Sequence, residues 1–342
     1  MVNNNQYSFN IKDFILEHVD AHPHDIVNLA MRAFGISRPA VHKHLKVLVT
    51  EGKLAATGKT KARTYRLIKK DRIAFEVPIV PGLSESDLWR EKMQPFFIAL
   101  PANVATICEY GFTEMVNNVI DHSQGTLLKV VCMLEGSKLQ IIISDNGIGI
   151  FKKVAEAFHL SHYREAIFHL SKGKVTTDPA HHTGEGIFFT SRSLDQFLLK
   201  ANGLCYIRWS DDDWLLDKAQ TTAGTEVQMI LDRQTSRALV DVFNAYAHPD
   251  NDYSFSKTNV IVKLGLIPGE TYISRSQAKR ILWGLEKFKH VVLDFKRVST
   301  VGQGFVDEVF RVFKRYHPDI EITYTNASAN VEFMIKRSLP MV

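Results

Sequence analysis

Residues 108–123, CEYGFTEMVNNVIDHS, carry Glu114, Asn118 and His122 at i, i+4 and i+8. On a helix that spacing stacks three polar side chains on one stripe. Met115, Val116, Val119 and Ile120 fall on the opposite side and read as the face turned to a core. Further on, the strand-like run LQIIIS (139–144) ends in Asp145-Asn146-Gly147-Ile148-Gly149. A polar helix stripe facing a carboxylate at a strand end, with glycines directly after it, predicts a pocket for ATP and magnesium. Such a pocket needs no lysine-bearing phosphate loop.

Two later fragments continue the pattern. HHTGEGIFFTSRSL (181–194) sets Gly184-Glu185-Gly186 ahead of a helix, and AGTEVQMIL (223–231) opens a strand on Gly224-Thr225. With Glu114 and Asn118 first and Asp145-Asn146-Gly147-Ile148-Gly149 second, these four motifs occur in order. Together they make the central third of the chain resemble the GHKL ATPase superfamily, which groups gyrase, the heat-shock ninety chaperone, histidine kinases and MutL.

The resemblance implies a role for each position. The Asp145 carboxylate accepts a charge-assisted hydrogen bond from the adenine amine, where guanine would present a carbonyl. Gly147 and Gly149 let the backbone approach base and phosphates. The Asn118 amide oxygen supplies one ligand to Mg2+, which takes the rest from phosphates and water. Glu114 orients or deprotonates an attacking water. Gly184 and Gly186 begin a helix whose free N–H groups hold phosphate, and Thr225 closes the floor beneath the adenine. A glutamate at 114 is found in hydrolysing members and in many histidine kinases, so it does not settle turnover. Histidine kinases often have a lysine where this chain has Asp121, and no phosphoacceptor-histidine helix pair precedes the domain. A conventional sensor kinase is therefore not expected.

Outward to the N-terminus, residues 8–72 read as three helices and a hairpin. FNIKDFILEHV (9–19) is the first helix; DIVNLAMRAF (25–34) opens on a capping Asp25 and stops at Gly35. Ser37 caps a third helix with Pro39 in its first turn. Val41, Leu45, Leu48 and Val49 then face inward, leaving Arg38, His42, Lys43 and Lys46 outside. KLAATGKTKARTYRLI (53–68) follows as two strands around a Gly-Lys turn. The whole resembles a winged helix-turn-helix of bacterial regulators. That implies double-stranded DNA as partner, with the helix residues in the major groove and Lys59, Lys61 and Arg63 on the wing. Charge agrees: residues 37–72 hold 11 Lys/Arg against 2 Asp/Glu, within a chain of net charge +5. Gly52 through Gly58-Lys59-Thr60 imitates a Walker loop, but five residues separate the glycines where four are required.

The rest is bounded by composition. The 342 residues, 45% hydrophobic and 23% charged, suit a globular protein of two or three domains. No apolar run approaches the ~18 residues of a membrane span, and MVNNNQYSFN has no signal-peptide pattern, so a cytoplasmic location is expected. Cys108, Cys132 and Cys205 read as buried free thiols. His159, His162, His169, His181 and His182 fall in the expected lid (about 151–183), without a ligand set; packing or solvated histidines are expected. From 233 the pattern is strand, helix, strand, helix, strand, helix. ISRSQAKRILWGLEKFKHVVLDF (273–295) and VSTVGQGFVDEVFRVF (298–313) resemble a STAS-like family found behind such ATPase modules. STAS domains elsewhere are phosphorylated on a serine at the start of the helix whose counterpart here begins at Gly302-Gln303-Gly304, so the acceptor is missing and a docking or state-sensing role is expected.

These readings predict an α+β multidomain chain: winged helix-turn-helix (1–72), linker with one short helix (73–103), GHKL (Bergerat) α/β sandwich (104–232) and small STAS-like α/β domain (233–342). The expected function is an ATP-binding, DNA-binding regulator, homodimeric, whose DNA binding or oligomeric state follows ATP·Mg, with a protein partner open to the C-terminal domain. The alternatives are an anti-sigma-type serine/threonine kinase acting on a separate STAS-like partner, and a non-hydrolysing scaffold stabilised by nucleotide.

Overall fold

A computed structural model describes residues 11–51, 53–58, 63–67, 72–176, 183–210, 212–217, 223–247, 254–265 and 271–338. The chain divides into two compact units, Met1–Ile73 with Asp87–Pro101, and Ala74–Ser86 with Ala102–Val342.

In the first unit, helices Ile11–His18, Ile26–Phe34 and Arg38–Thr50 are followed by antiparallel strands β1 (Leu54–Thr57) and β2 (Thr64–Leu67). Helical spacing brings Ile15, Val19, Ala30, Val41, Leu45 and Leu48 into one core, closed by Leu54 and Tyr65 of the hairpin. Two backbone donors of β2 tie it to the helices: Tyr65 N–H donates to Pro23 O and Leu67 N–H to the Asp20 carboxylate. Both expected helix caps are corrected. Asp25 and Ser37 occupy N-cap positions without capping through their side chains; the Asp25 carboxylate is engaged by His22 instead, 3.1 Å away. Gly35 does end its helix, at φ 63°. Residues 85–97 form a helix with a π-helical middle, Trp89–Met93.

The second unit contains two sheets. The larger has seven strands in the order β3-β4-β5-β9-β6-β7-β8, and the pairs from β4 to β8 are all antiparallel. Its strands are β3 (Arg72–Pro78), β4 (Leu127–Glu135), β5 (Lys138–Asp145), β6 (Gln196–Ala201), β7 (Leu204–Trp209), β8 (Asp212–Asp217) and β9 (Thr225–Asp232). The start of the expected linker is therefore a strand at the sheet's edge. Along β5 the period of two sends Leu139, Ile141, Ile143 and Asp145 to one buried face. Helices Ala102–His122, Ile150–Ala157, Tyr163–Lys172 and Gly186–Ser193 belong to this part.

The smaller sheet is parallel, β10 (Lys257–Ile261), β11 (His290–Asp294) and β12 (Glu321–Thr325), with helix Arg275–Leu282, helical residues 303–316 and helix Ala329–Ser338 between and after the strands. Parallel strands need such crossovers. The first element after residue 233 is not the expected strand but helix Leu239–Asn244. It packs back on the larger-sheet part through Tyr110–Phe243 and Phe189–Phe243 ring contacts at 5.4 and 4.4 Å. Phe255 then bridges Phe188 (4.5 Å) and Phe288 (5.2 Å), so an aromatic core runs through the expected domain boundary. Cys108, Cys132 and Cys205 are buried and free. Among the described residues no helix is long and apolar enough to cross a membrane.

Candidate functional site

Helix Ala102–His122, the end of β5 and the start of helix Gly186–Ser193 converge on a cavity of about 290 Å³. Of the residues singled out from sequence, Glu114, Asn118, Asp145, Gly184, Gly186 and Thr225 line it, as does His122. Gly147 and Gly149 do not. Met115 and Val119 line it beside Glu114 and Asn118, so part of the helix face read as core is also cavity wall.

Asp145 is 6% exposed and held by its neighbours. Gly147 N–H donates to its Oδ1 at 2.7 Å. β9 pairs with β5 so that Ser144 faces Glu226, which leaves Thr225 beside Asp145. Burial pushes the Asp145 carboxyl up; hydrogen bonds from Gly147 N–H, Thr225 N–H and the Thr225 hydroxyl pull it back. The same Thr225 hydroxyl accepts from Ile150 N–H at 3.0 Å, tying strand to helix start. Gly224, at φ 73°, fits against Asp145: a Cβ there would come within 2.7 Å of the Asp145 carbonyl carbon.

The two glycines after Asp145 admit other parts of the protein at close range. A Cβ on Gly147 would fall on the Ser123 carbonyl oxygen, with the carbonyl carbon at 2.7 Å and Asp145 Oδ1 at 2.9 Å. Ile148 N–H donates to that carbonyl at 2.9 Å. Gly149, at φ 85°, sits against the Asn202 side chain, 2.5 Å from where its Cβ would be. Asn202 in turn accepts from Lys152 N–H and donates to Ile148 O, clamping the turn. Asn146 accepts from Thr126 and Leu127 N–H. The close approach is protein on protein.

Glu114 lies where the cavity meets the start of helix Gly186–Ser193. A Cβ on Gly186 would come within 3.0 Å of Glu114 Cδ, so the carboxylate lies against the first residue of helix Gly186–Ser193. The positive helix end and a carboxylate are complementary there. Tyr110, one turn before Glu114, is largely buried, and burial and then the Glu114 and Glu185 charges push its phenol up. Burial likewise pushes the Glu185 carboxyl up, against the nearby Lys174 cation. Lys153 and Glu185 line the cavity and were not singled out from sequence; helix Ile150–Ala157 was legible only as part of a lid.

The end of helix Tyr163–Lys172 is bonded to the C-terminal part. Lys172 is buried; its Nζ donates to Trp283 O at 2.9 Å, lies 3.3 Å from His169 Nδ1, and sits 4.1 Å from the Phe168 ring centroid. Its carbonyl accepts from the Thr258 hydroxyl at 2.7 Å. Two residues on, Lys174 Nζ donates to Lys287 O and Lys287 Nζ to Lys174 O, each at 3.0 Å. Val175 and Thr176 immediately follow and line the cavity. His169 is a packing histidine, 4.3 Å from the Trp283 ring. Among the described residues no group of three or more His, Cys, Asp or Glu is placed to hold a metal ion.

In the first unit, Arg38, His42, Lys43 and Lys46 are exposed on helix Arg38–Thr50, whose Val41, Leu45 and Leu48 are buried. Arg38 donates to Asn28 at 2.6 Å. Arg63 is exposed, 5.5 Å from the Tyr65 ring centroid; Lys59 and Lys61 lie outside the described residues.

Comparison with curated proteins returns no match. Residues 277–332, spanning β11, the helical stretch 303–316 and β12, match the family described as a STAS-like domain of unknown function (DUF4325). Strands β11 and β12 of the parallel sheet thus lie within the STAS-like match, and β10 lies before it.

Proposed function

We propose that this chain is a DNA-binding regulator governed by ATP and magnesium, of the GHKL type in its central part and with a winged helix-turn-helix at its N-terminal end. The observation that carries the reading is convergence: Glu114, Asn118, Asp145, Gly186 and Thr225, scattered over the sequence, line one cavity. The donor set suits the ligand. Asp145 offers a buried acceptor for the adenine amine, positioned by Gly147 and Thr225. Asn118 and Glu114 offer hard oxygens, the type magnesium takes alongside phosphate and water. Bound there, the ion would neutralise phosphate charge. Lys153 adds a cation to the same wall.

Residues 172–176 provide the route by which occupancy would act elsewhere. Thr176 and Val175 face the cavity, while Lys174 and Lys172 are bonded to Lys287 and Trp283. A ligand that shifts the lid strains or relieves those bonds, and it shifts the population only by its unequal affinity for the two states. Phosphotransfer within the chain finds no acceptor at Gly302. A Cβ on Gly302 would sit 2.6 Å from Ile273 O, so the backbone of residue 273 occupies the place a hydroxyl-bearing side chain would need.

Calorimetric titration of the full chain with ATP and magnesium, beside Asp145→Ala, tests the pocket: binding that the variant abolishes is expected, and full retention overturns the assignment. DNA anisotropy curves with and without a non-hydrolysable ATP analogue are expected to differ; superimposable curves overturn the coupling.

A further inference from the structure

A second cavity, of about 560 Å³, opens on the larger-sheet part between the end of helix Gly186–Ser193, the end of β7 and helix Leu239–Asn244. It shares no lining residue with the first. Three guanidiniums line it: Arg192, Arg208 and Arg237. Two are neutralised, Arg208 by Asp213 at 2.9 Å and Arg237 by Asp195 at 3.0 Å. Asp195 is fully engaged, since its other oxygen accepts from Asp232 N–H at 2.7 Å.

Arg192 is different. It is 9% exposed, with its guanidinium carbon 3.4 Å from the Phe188 ring centroid. A guanidinium has five N–H donors. Nη1 donates to Phe188 O and Ser191 Oγ, and Nη2 to Ser171 O. Nε–H has no acceptor among the described residues, and no carboxylate there pairs with Arg192. Burial, and then the neighbouring Arg208 charge, work against the cation, while Tyr246, Tyr206 and Asp213 favour it. An unpaired buried charge is costly unless something compensates it. Asp241 also lines the cavity, but it is exposed on its helix. Trp209, 59% exposed, and Tyr246 also line the cavity.

We propose that this cavity is a second ligand site, taking a small oxyanion of the phosphate or carboxylate class carried on a planar ring. Guanidinium forks match both oxyanions in geometry and charge, and Trp209 supplies a flat apolar face for the ring. The volume lies within the roughly 300–1,000 Å³ of small-molecule sites. An anion would give Arg192 the direct ion pair that it lacks among the described residues, where Asp213 acts on it only at longer range.

The test is calorimetry of the full chain with phenyl phosphate, benzoate and inorganic phosphate. At least one ring-bearing anion is expected to bind, and more tightly than inorganic phosphate; the better of the two identifies the oxyanion. Trp209→Ala, at an exposed position that does not endanger folding, and Arg237→Gln are each expected to weaken it about fivefold to tenfold. Asp145→Ala is expected to leave it unchanged. No saturable heat with either ring-bearing anion, equal binding of inorganic phosphate, or a loss in Asp145→Ala with Trp209→Ala intact would overturn the proposal.

Discussion

Gly147→Ala separates two explanations of the glycines that follow Asp145. If Gly147 existed only to let a ligand approach, a methyl there would leave the ligand-free protein as stable as before. The structure says otherwise. Gly147 is not at positive φ, so the backbone itself tolerates alanine, and the whole cost is contact. The methyl would fall on the Ser123 carbonyl, with the carbonyl carbon at 2.7 Å, and on Asp145 Oδ1 at 2.9 Å. The first obstacle is backbone, which no rotamer change removes. Overpacking of this kind costs about 1–3 kcal/mol. Relief by separation breaks the Ile148 N–H bond to Ser123 O and loosens Gly147 N–H on Asp145, at about 1 kcal/mol each. A total of roughly 3–5 kcal/mol corresponds to a fall of about 6–20 °C in the melting transition of this unit. Differential scanning calorimetry without nucleotide measures it. Gly136→Ala is the control: its φ is 61°, nothing lies within 4 Å, and its cost is that of φ alone. A Gly147→Ala protein that melts within a degree of the parent would refute the packing argument.

Two further outcomes follow from charge. Burial, then the Lys172 charge, pulls the His169 imidazole down to about 2 from an ordinary 6.5. Below 6.5 the unfolded chain binds a proton that the folded one refuses, so stability is lost as pH falls, by about 1.4 kcal/mol per unit from this group. In His169→Phe the slope of unfolding free energy against pH between 6 and 4 (denaturant titration, about one proton less) should flatten; an unchanged slope would show that His169 is not buried neutral. On the basic helix, Lys43→Ala and Lys46→Ala should each weaken DNA binding uniformly across sequences and lower the salt dependence by about one phosphate contact. Unaltered affinity and salt slope in both would place the DNA surface elsewhere.

Particular residues show how far sequence reading reaches. The stripe of Glu114, Asn118 and His122 is a matter of helical period, and its convergence on one cavity needs only that a single helix pack against one strand end. Asp145 shares the parity of Leu139, Ile141 and Ile143, so its burial was legible in the alternation of β5. That Gly147 and Gly149 admit Ser123 and Asn202 was not legible, because those residues are distant in sequence. Helix Leu239–Asn244 was missed: six residues carry too little periodicity, and its docking on Tyr110 and Phe189 lies across space. The strand Arg72–Pro78 was hidden among prolines, and β4 beside it completes its pairing.

The sequence alone determined what depends on near neighbours along the chain. That covers the amphipathic helices, the strand alternation, the concentration of positive charge in residues 37–72 and the order of the motifs, because period and local charge are short-range properties. Tertiary structure alone decided what depends on meeting across space. It bonded Lys172 to the Trp283 carbonyl, left Arg192 buried with no acceptor for its Nε–H among the described residues, and ran one aromatic core from Phe189 through Phe255 to Phe288. Burial energy and desolvation are sums over every group that surrounds a side chain, and no stretch of sequence contains that list.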